Sequence, residues 1–263
     1  MELRLYQIDA FTDKVFKGNP AAVCPLERWL TDADLQAVAE ENNLSETAFY
    51  VPAGAGFHLR WFTPKAEVDL CGHATLAAAF VIFNFSDHAD NTVRFESRSG
   101  ELAVTKNDDL LVMDFPSQPA KPCATPQLLV DGLGKVPIEV LFSEDYMAVF
   151  DTEEDVIALK PNFDALNKLD LRGVMVTAKG KEVDFVSRFF APRYGINEDP
   201  VTGSAHCSLT PYWADKLNKT KLSARQVSKR SGYIGCELKG SRVFLSGKAV
   251  KYMEGKIKLK IKL

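Results

Sequence analysis

The sequence predicts a mixed α+β protein of two duplicated lobes, each rich in strands and built around a buried helix. Two observations carry that prediction. The first is an internal repeat: residues 60–64 read Arg-Trp-Phe-Thr-Pro and residues 188–192 read Arg-Phe-Phe-Ala-Pro. Each block leads to an aspartate, a glycine and a helical run, Asp69, Gly72 and HATLAAAFVIF in one half, Asp199, Gly203 and SAHCSLTPYWA in the other. The arginines lie 128 residues apart and the glycines 131, so the second loop is three residues longer. The second observation is that HATLAAAFVIF is apolar almost all round, which suits a helix wrapped by its own sheet and not one lying on a surface.

Taken in order, the N-terminal MELRLYQIDAF alternates apolar and polar residues as a strand does, and it lacks the charged-then-apolar order of a signal segment. Thr31 is a plausible N-cap for a helix carrying Leu35, Val38 and Ala39, and SETAFYV follows as a strand. A hairpin is expected from Val93 to Phe115, turning at Lys106-Asn107-Asp108-Asp109. Four prolines, Pro116, Pro119, Pro122 and Pro126, mark a linker, giving lobes of residues 1–117 and 118–263. In the second lobe Pro161 and Asn162 open a helix carrying Phe163, Leu166 and Leu169, and RGVMVTA repeats the strand. Pro211 is expected to kink or restart the second buried helix. Another hairpin is expected near Val243–Ser246. The final KIKLKIKL alternates as a strand with one wet face. This last strand, about residues 254–263, is left between the second lobe and a return to the first.

At 263 residues, 46% hydrophobic and 25% charged, the composition is that of an ordinary globular chain. A formal charge of −3 offers no broad positive field for nucleic acid or anionic lipid. The six Lys or Arg between Lys216 and Arg230 read as a solvated face. The apolar run Leu76–Phe85 is too short to span a bilayer, so no membrane partner is expected and the protein is placed in the cytoplasm. Five widely spaced cysteines without a C-x-x-C pair suit reduced thiols, and the four histidines show no zinc spacing, so no metal site is expected. The elbow, P-loop and dinucleotide-binding motifs of other common enzyme classes are absent.

Each glycine turn opens a helix whose unpaired N–H groups and positive dipole end favour carboxylates. If the duplication is a pseudo-twofold, Gly72 and His73 in one half and Gly203 and Ser204 in the other hold an acidic substrate between them. Ordinary helix starts explain each one equally well when taken singly. Glu46 opens an apolar strand, where burial raises a carboxylate toward the working range of a general base; by spacing alone it is also an ordinary surface glutamate. His73 at a helix N-terminus tends to stay neutral, or simply hydrogen-bonds locally. Asp199 before Pro200 equally forms a turn. Cys71 competes for the catalytic role as a thiol at a helix start, against the reading of an inert buried cysteine. Its partner in the repeat is Thr202, and Cys207 lies a turn further on, which disfavours a two-thiol mechanism.

Together IDAFTDKVFKGNPAAVC, NNLSETAF, DLCGHATLAAA and NEDPVTGSAHCSL resemble the PhzF, or phenazine biosynthesis-like, family over nearly the whole chain. The resemblance implies a diaminopimelate epimerase-like fold, each lobe a rolled, mostly antiparallel sheet around a central helix. It implies a cofactor-independent isomerase that moves a proton within a small cyclic amino or carboxylic acid, working as a homodimer. It also places Glu46 at the family's proton shuttle, and His73 and Asp199 at its other polar catalytic positions. Asn19, Ser45, Gly72, Gly203 and Ser204 fall at substrate-contacting positions. Cys71 matches the first epimerase thiol, with the second missing.

Overall fold

The computed structural model describes residues 1–259, which divide into two compact units. The first is Met1–Asp114 together with the chain from Ser246 onward, and the second is Phe115–Leu245. In the first, β1 (Glu2–Ala10) pairs antiparallel with β2 (Asn19–Pro25), and β2 pairs parallel with β3 (Glu46–Ala53). The helix α1 (Asp32–Asn42) makes that crossover, and the Thr31 hydroxyl caps it by accepting from the Asp34 N–H. Next, β3 runs antiparallel to β4 (Gly56–Phe62), which carries the short β5 (Glu67–Val68). The helix α2 (Gly72–Phe85) then leads to β6 (Thr92–Ser97), which returns parallel to β4.

From β6 the chain runs antiparallel through β7 (Gly100–Asn107) and β8 (Leu110–Pro116). The expected hairpin over 93–115 is therefore a three-stranded meander. Its second turn falls at Asp108-Asp109, with Asp108 at φ 55°, a left-handed position that aspartate tolerates better than most residues.

In the second unit the element order repeats. After β9 (Lys121–Pro122) and α3 (Gln127–Leu133), β10 (Glu139–Phe142) pairs antiparallel with β11 (Tyr146–Val149). Two short helices follow, α4 (Glu153–Ala158) and α5 (Phe163–Leu166). Then β12 (Val174–Lys179) pairs parallel with β11, and β13 (Phe185–Ala191) runs antiparallel to β12. Continuing, β14 (Ile196–Asp199) pairs with β13 and α6 (Gly203–Leu217) follows. Finally β15 (Lys221–Gln226) returns parallel to β13 and pairs with β16 (Gly232–Lys239), before β17 (Arg242–Gly247). The same order of antiparallel and parallel partners in both units is the structural form of the repeat.

Three expectations need correction. The helix opened by Asn162 ends at Leu166, so Leu169 lies beyond it; the stretch equivalent to α1 is split in two by Pro161. Helix α6 runs on through Pro211, which removes the restart of the two alternatives expected there. The carbonyl that proline leaves without its helical partner, that of Cys207, accepts from the Gln118 N–H at 3.0 Å instead. The third concerns the last strand: β18 (Ala249–Lys258) pairs along its length with β1, so the return to the first unit begins near 246, before the expected 254. Residues 260–263 of KIKLKIKL lie outside the described residues.

Helix α2 packs against β1, β2, β3, β6, β7 and β18, which is the wrapped helix its composition requires. Leu76, Ala77, Ala78, Ala79 and Ile82 have essentially no exposure. On the other face of the sheet, Leu35, Val38 and Ala39 of α1 meet Phe49 and Phe62. Strand β3 is thus covered on both faces, and its buried run from Glu46 to Val51 lacks alternation for that reason. No helix among the described residues is long and apolar enough to cross a membrane. The cysteines form no disulfide among the described residues.

Candidate functional site

The first unit gathers Glu46, His73, Asn19 and Cys71. Asn19 and Glu46 open two neighbouring parallel strands, and Ala21 is the residue directly beside Glu46. Asn19 stands two residues before Ala21 and so points to the same face, the one that receives α2. Gly18 fixes this entry: its φ is 64°, and a Cβ there would lie 2.1 Å from the Ala10 carbonyl oxygen. Above these residues α2 begins with Cys71 as N-cap, Gly72 and His73.

The His73 ring lies between the others. Asn19 Nδ2 is 3.2 Å from His73 Nδ1, and Glu46 Oε2 is 3.2 Å from His73 Nε2. Since an amide nitrogen can only donate, Nδ1 accepts from Asn19, and the imidazole proton sits on Nε2, beside the Glu46 carboxylate. The ring is neutral: burial pushes its pKa from 6.5 down to about 3. Neutrality was expected from the helix dipole, whereas the cause that dominates here is desolvation. Glu46 itself is only 9% exposed.

Cys71 Sγ lies 3.5 Å from His73 Nδ1. Donor atoms of Glu46, Cys71 and His73 all fall within 4.8 Å of one another, a grouping able to hold a cation that sequence spacing did not reveal, because Glu46 comes from a distant strand. The thiol and the carboxylate nevertheless flank opposite ring nitrogens. One ion would need them to converge on a single nitrogen, which this arrangement of the ring does not offer.

The second unit places Asp199, Thr202, Gly203 and Ser204 around the start of α6. Thr202, the counterpart of Cys71, donates its hydroxyl to Asp199 Oδ2 at 2.5 Å. Gln226, wholly buried, accepts from the Thr202 N–H at 2.9 Å and donates to the Asp199 carbonyl at 2.7 Å. His206 is held through Thr202 as well, with Nδ1 2.7 Å from its carbonyl, and burial lowers its pKa to about 4.

The sequence reading missed Arg172 and Asp145. Arg172 donates from Nε and Nη2 to the two Asp145 carboxylate oxygens at 2.9 and 2.5 Å, and from Nη2 to Ser204 Oγ at 3.1 Å. Burial works to lower the Arg172 pKa, but the Asp145 carboxylate outweighs it and holds the guanidinium above its ordinary value. One signal was available. The strand registers pair Thr47 with Phe62 and Val174 with Phe190, which sets Ser45-Glu46 against Arg172-Gly173. The charge thus lies one residue before the position where the first unit has its glutamate.

The chain matches the family described as phenazine biosynthesis-like protein over residues 8–255. It is 56% identical over 259 residues to a Pseudomonas aeruginosa protein named as an uncharacterized isomerase, covering 98% of this chain and 100% of that one. A crystal structure of a PhzF-family phenazine biosynthesis protein from Enterococcus faecalis superposes with a TM-score of 0.97 at 50% identity, covering 98% of this chain and 100% of that one. A probable proline racemase from Agrobacterium radiobacter, at 11% identity, gives a TM-score of 0.64 over 98% of this chain and 93% of that one. That last likeness is one of fold, and it agrees with the epimerase-like architecture that the family resemblance implies.

Proposed function

Because this chain belongs to the phenazine biosynthesis-like (PhzF) family, whose matched Pseudomonas relative is named an isomerase, we propose that it is an intramolecular proton-transfer isomerase using Glu46 as shuttle. The observation supporting this reading is the neutral, buried His73 with its Nε2 3.2 Å from the Glu46 carboxylate. The substrate is a small cyclic amino or carboxylic acid. Glu46 takes a proton from a ring carbon next to the conjugated system, the electron pair shifts along that system, and the resulting carboxylic acid returns the proton at another carbon. Nothing is consumed, so the chemistry requires no redox partner. His73, with Nε2 3.2 Å from Glu46 Oε2, stands beside the shuttle as a neutral group that does not hold the carboxylate charged by an ion pair. Asn19 fixes the ring, and the first-turn N–H groups of α2 at Gly72 favour an anionic group nearby.

The same reading gives Asp199, Gly203 and Ser204 the substrate's remaining polar groups, with Ser45 beside the shuttle. It also takes the working form as a cytoplasmic homodimer, which light scattering on the purified protein checks directly.

Incubation with a dihydro-hydroxyanthranilate and related cyclic amino acids in deuterated water, followed by proton NMR, tests the chemistry. Isomerisation with solvent isotope exchange in the wild type, lost in Glu46→Gln, is the expected outcome. A Gln variant with full turnover would refute the shuttle. One observation favours a second reading, a Cys71-dependent epimerase: the thiol contacts the same imidazole. Against it, the counterpart of Cys71 is Thr202, engaged with Asp199, and Cys207 is buried with its pKa pushed up to about 12. Loss of exchange in Cys71→Ser with Glu46→Gln unaffected would favour that alternative.

A further inference from the structure

The two helix starts are surrounded by polar groups of opposite kind. In the first unit the Asn19 amide meets His73 Nδ1, and the Glu46 carboxylate, an acceptor, lies 3.2 Å from His73 Nε2. The second is organised by a carboxylate that is 2% exposed: Asp145 takes two of the Arg172 donors, and a third goes to the lone pair of Ser204 Oγ. With its oxygen occupied as an acceptor, the Ser204 hydroxyl has its hydrogen to give away. Nη1 of Arg172 hydrogen-bonds no acceptor among the described residues, and the side chain remains 34% exposed. The guanidinium also lies over the Phe189 ring, 5.7 Å from its centroid, which fixes its plane.

Gly173, at the position of Glu46, cannot take over the acceptor role. A Cβ there would lie 2.7 Å from Phe189 Cζ and 2.8 Å from the Phe190 carbonyl oxygen. The second unit therefore offers donors where the first offers a base.

We propose that Arg172, clamped by Asp145, is a specificity-determining residue that turns Ser204 and its own Nη1 into a paired donor for the carboxylate of the substrate. The inference rests on the reading that the α6 start takes part in binding that substrate. The Arg172–Asp145 pair is neutral as a whole, so what it supplies is direction more than net charge. The effect is accordingly a preference among ligands and not the whole of the affinity.

Stable aromatic probes test this without turnover: 2-aminobenzoate and its uncharged counterpart 2-aminobenzamide, titrated calorimetrically against the full chain. Wild type should bind the carboxylate about tenfold more tightly than the carboxamide, the scale of a hydrogen bond to a charged group. Arg172→Met alone would strand the buried Asp145 charge and endanger folding, so the informative variant is Arg172→Met with Asp145→Asn. In it, and in Ser204→Ala, the ratio should fall to about one while near-ultraviolet circular dichroism is retained. A residue that merely braced the helix would weaken both probes together and leave their ratio unchanged, which overturns the proposal. Equal binding of the two probes by wild type, or binding of neither, overturns it as well. Glu46→Gln should keep the preference for the carboxylate probe, since it removes a negative charge and no donor. If that variant still exchanges protons while the ratio depends on Arg172, the shuttle fails and this inference stands.

Discussion

Helix α2 and helix α6 begin in the same way, with an extended N-cap residue, a glycine and a polar second residue, yet what surrounds those starts differs. At α2 the N-cap is a thiol, the second residue an imidazole, and the strand beside it opens with a buried glutamate. At α6 the N-cap hydroxyl is tied to Asp199, the second residue is a serine, and the strand is approached through Arg172-Gly173. Duplication gives both lobes a backbone fit for an anion, and divergence of a few side chains leaves a base in one and donors in the other. On the proposed reading, proton-transfer chemistry belongs to the first lobe and orientation to the second.

The sharpest way to break that division is to compare Glu46→Gln with Ser204→Ala in the exchange assay. Removing the shuttle should lower turnover by at least about a hundredfold, the usual scale of general acid–base catalysis. Removing the hydroxyl should act mainly on KM. Equal loss of kcat in both would mean that both lobes take part in the proton step.

Next in size is a contrast between two glycines at strand entries. Gly173→Ala should destabilise by about 1–3 kcal/mol in urea unfolding, because its Cβ meets Phe189 and a carbonyl oxygen in a packed site. Gly18→Ala should cost at least as much, since it adds a positive φ to its contact with the Ala10 carbonyl. The second should also lower turnover, by shifting Asn19 and through it His73, whereas the first, whose Cβ also lies 3.3 Å from Asp145 Oδ1, should act on substrate binding through Arg172.

Much of this was legible in the sequence. The Arg-Trp-Phe-Thr-Pro and Arg-Phe-Phe-Ala-Pro blocks disclosed the repeat because they fall on β4 and β13, which face equivalent neighbours. Thr31 and the wrapped α2 were visible because capping and all-round apolarity are local properties. Arg172 and Asp145 were not, since their bond joins residues 27 apart in the bends that lead into neighbouring strands, and neither belongs to a motif. The continuity of α6 was hidden for a similar reason: the group that satisfies Cys207 comes from Gln118, far away in sequence. The split of α4 from α5 was written in Pro161, but the start signal at Asn162 drew the reading toward a longer helix.

A smaller effect separates the two buried histidines from the rest of the protein. His73 and His206 are held neutral in the fold, with pKa values near 3 and 4 against 6.5 for an exposed ring. Below about pH 6.5 the unfolded chain binds protons that the native state refuses, so stability must fall as pH falls. Each ring contributes a slope of about 1.4 kcal/mol per pH unit between 6.5 and its native value. His206→Gln should reduce the slope of unfolding free energy measured between pH 6 and 4.5 by about that amount. His73→Gln should do the same and also reduce exchange activity, whereas an unchanged slope in both would mean that these rings are protonated in the native state.

The smallest expected effect concerns the one feature in which α6 is worse off than α2, its internal proline. In an isolated helix an interior proline costs about 3 kcal/mol relative to alanine, through a lost hydrogen bond and a ring clash. Here the acceptor left over, Cys207 O, is already bonded to Gln118 N–H, so alanine would add a second donor to an oxygen that is not orphaned. Alanine also loosens the unfolded chain, which works against the native state. Pro211→Ala should therefore change unfolding free energy by less than about 1 kcal/mol, because these two effects oppose the gain in helix propensity. A stabilisation near the full 3 kcal/mol would mean that the Gln118 bond does not offset the proline, and that α6 carries strain from which α2 is spared.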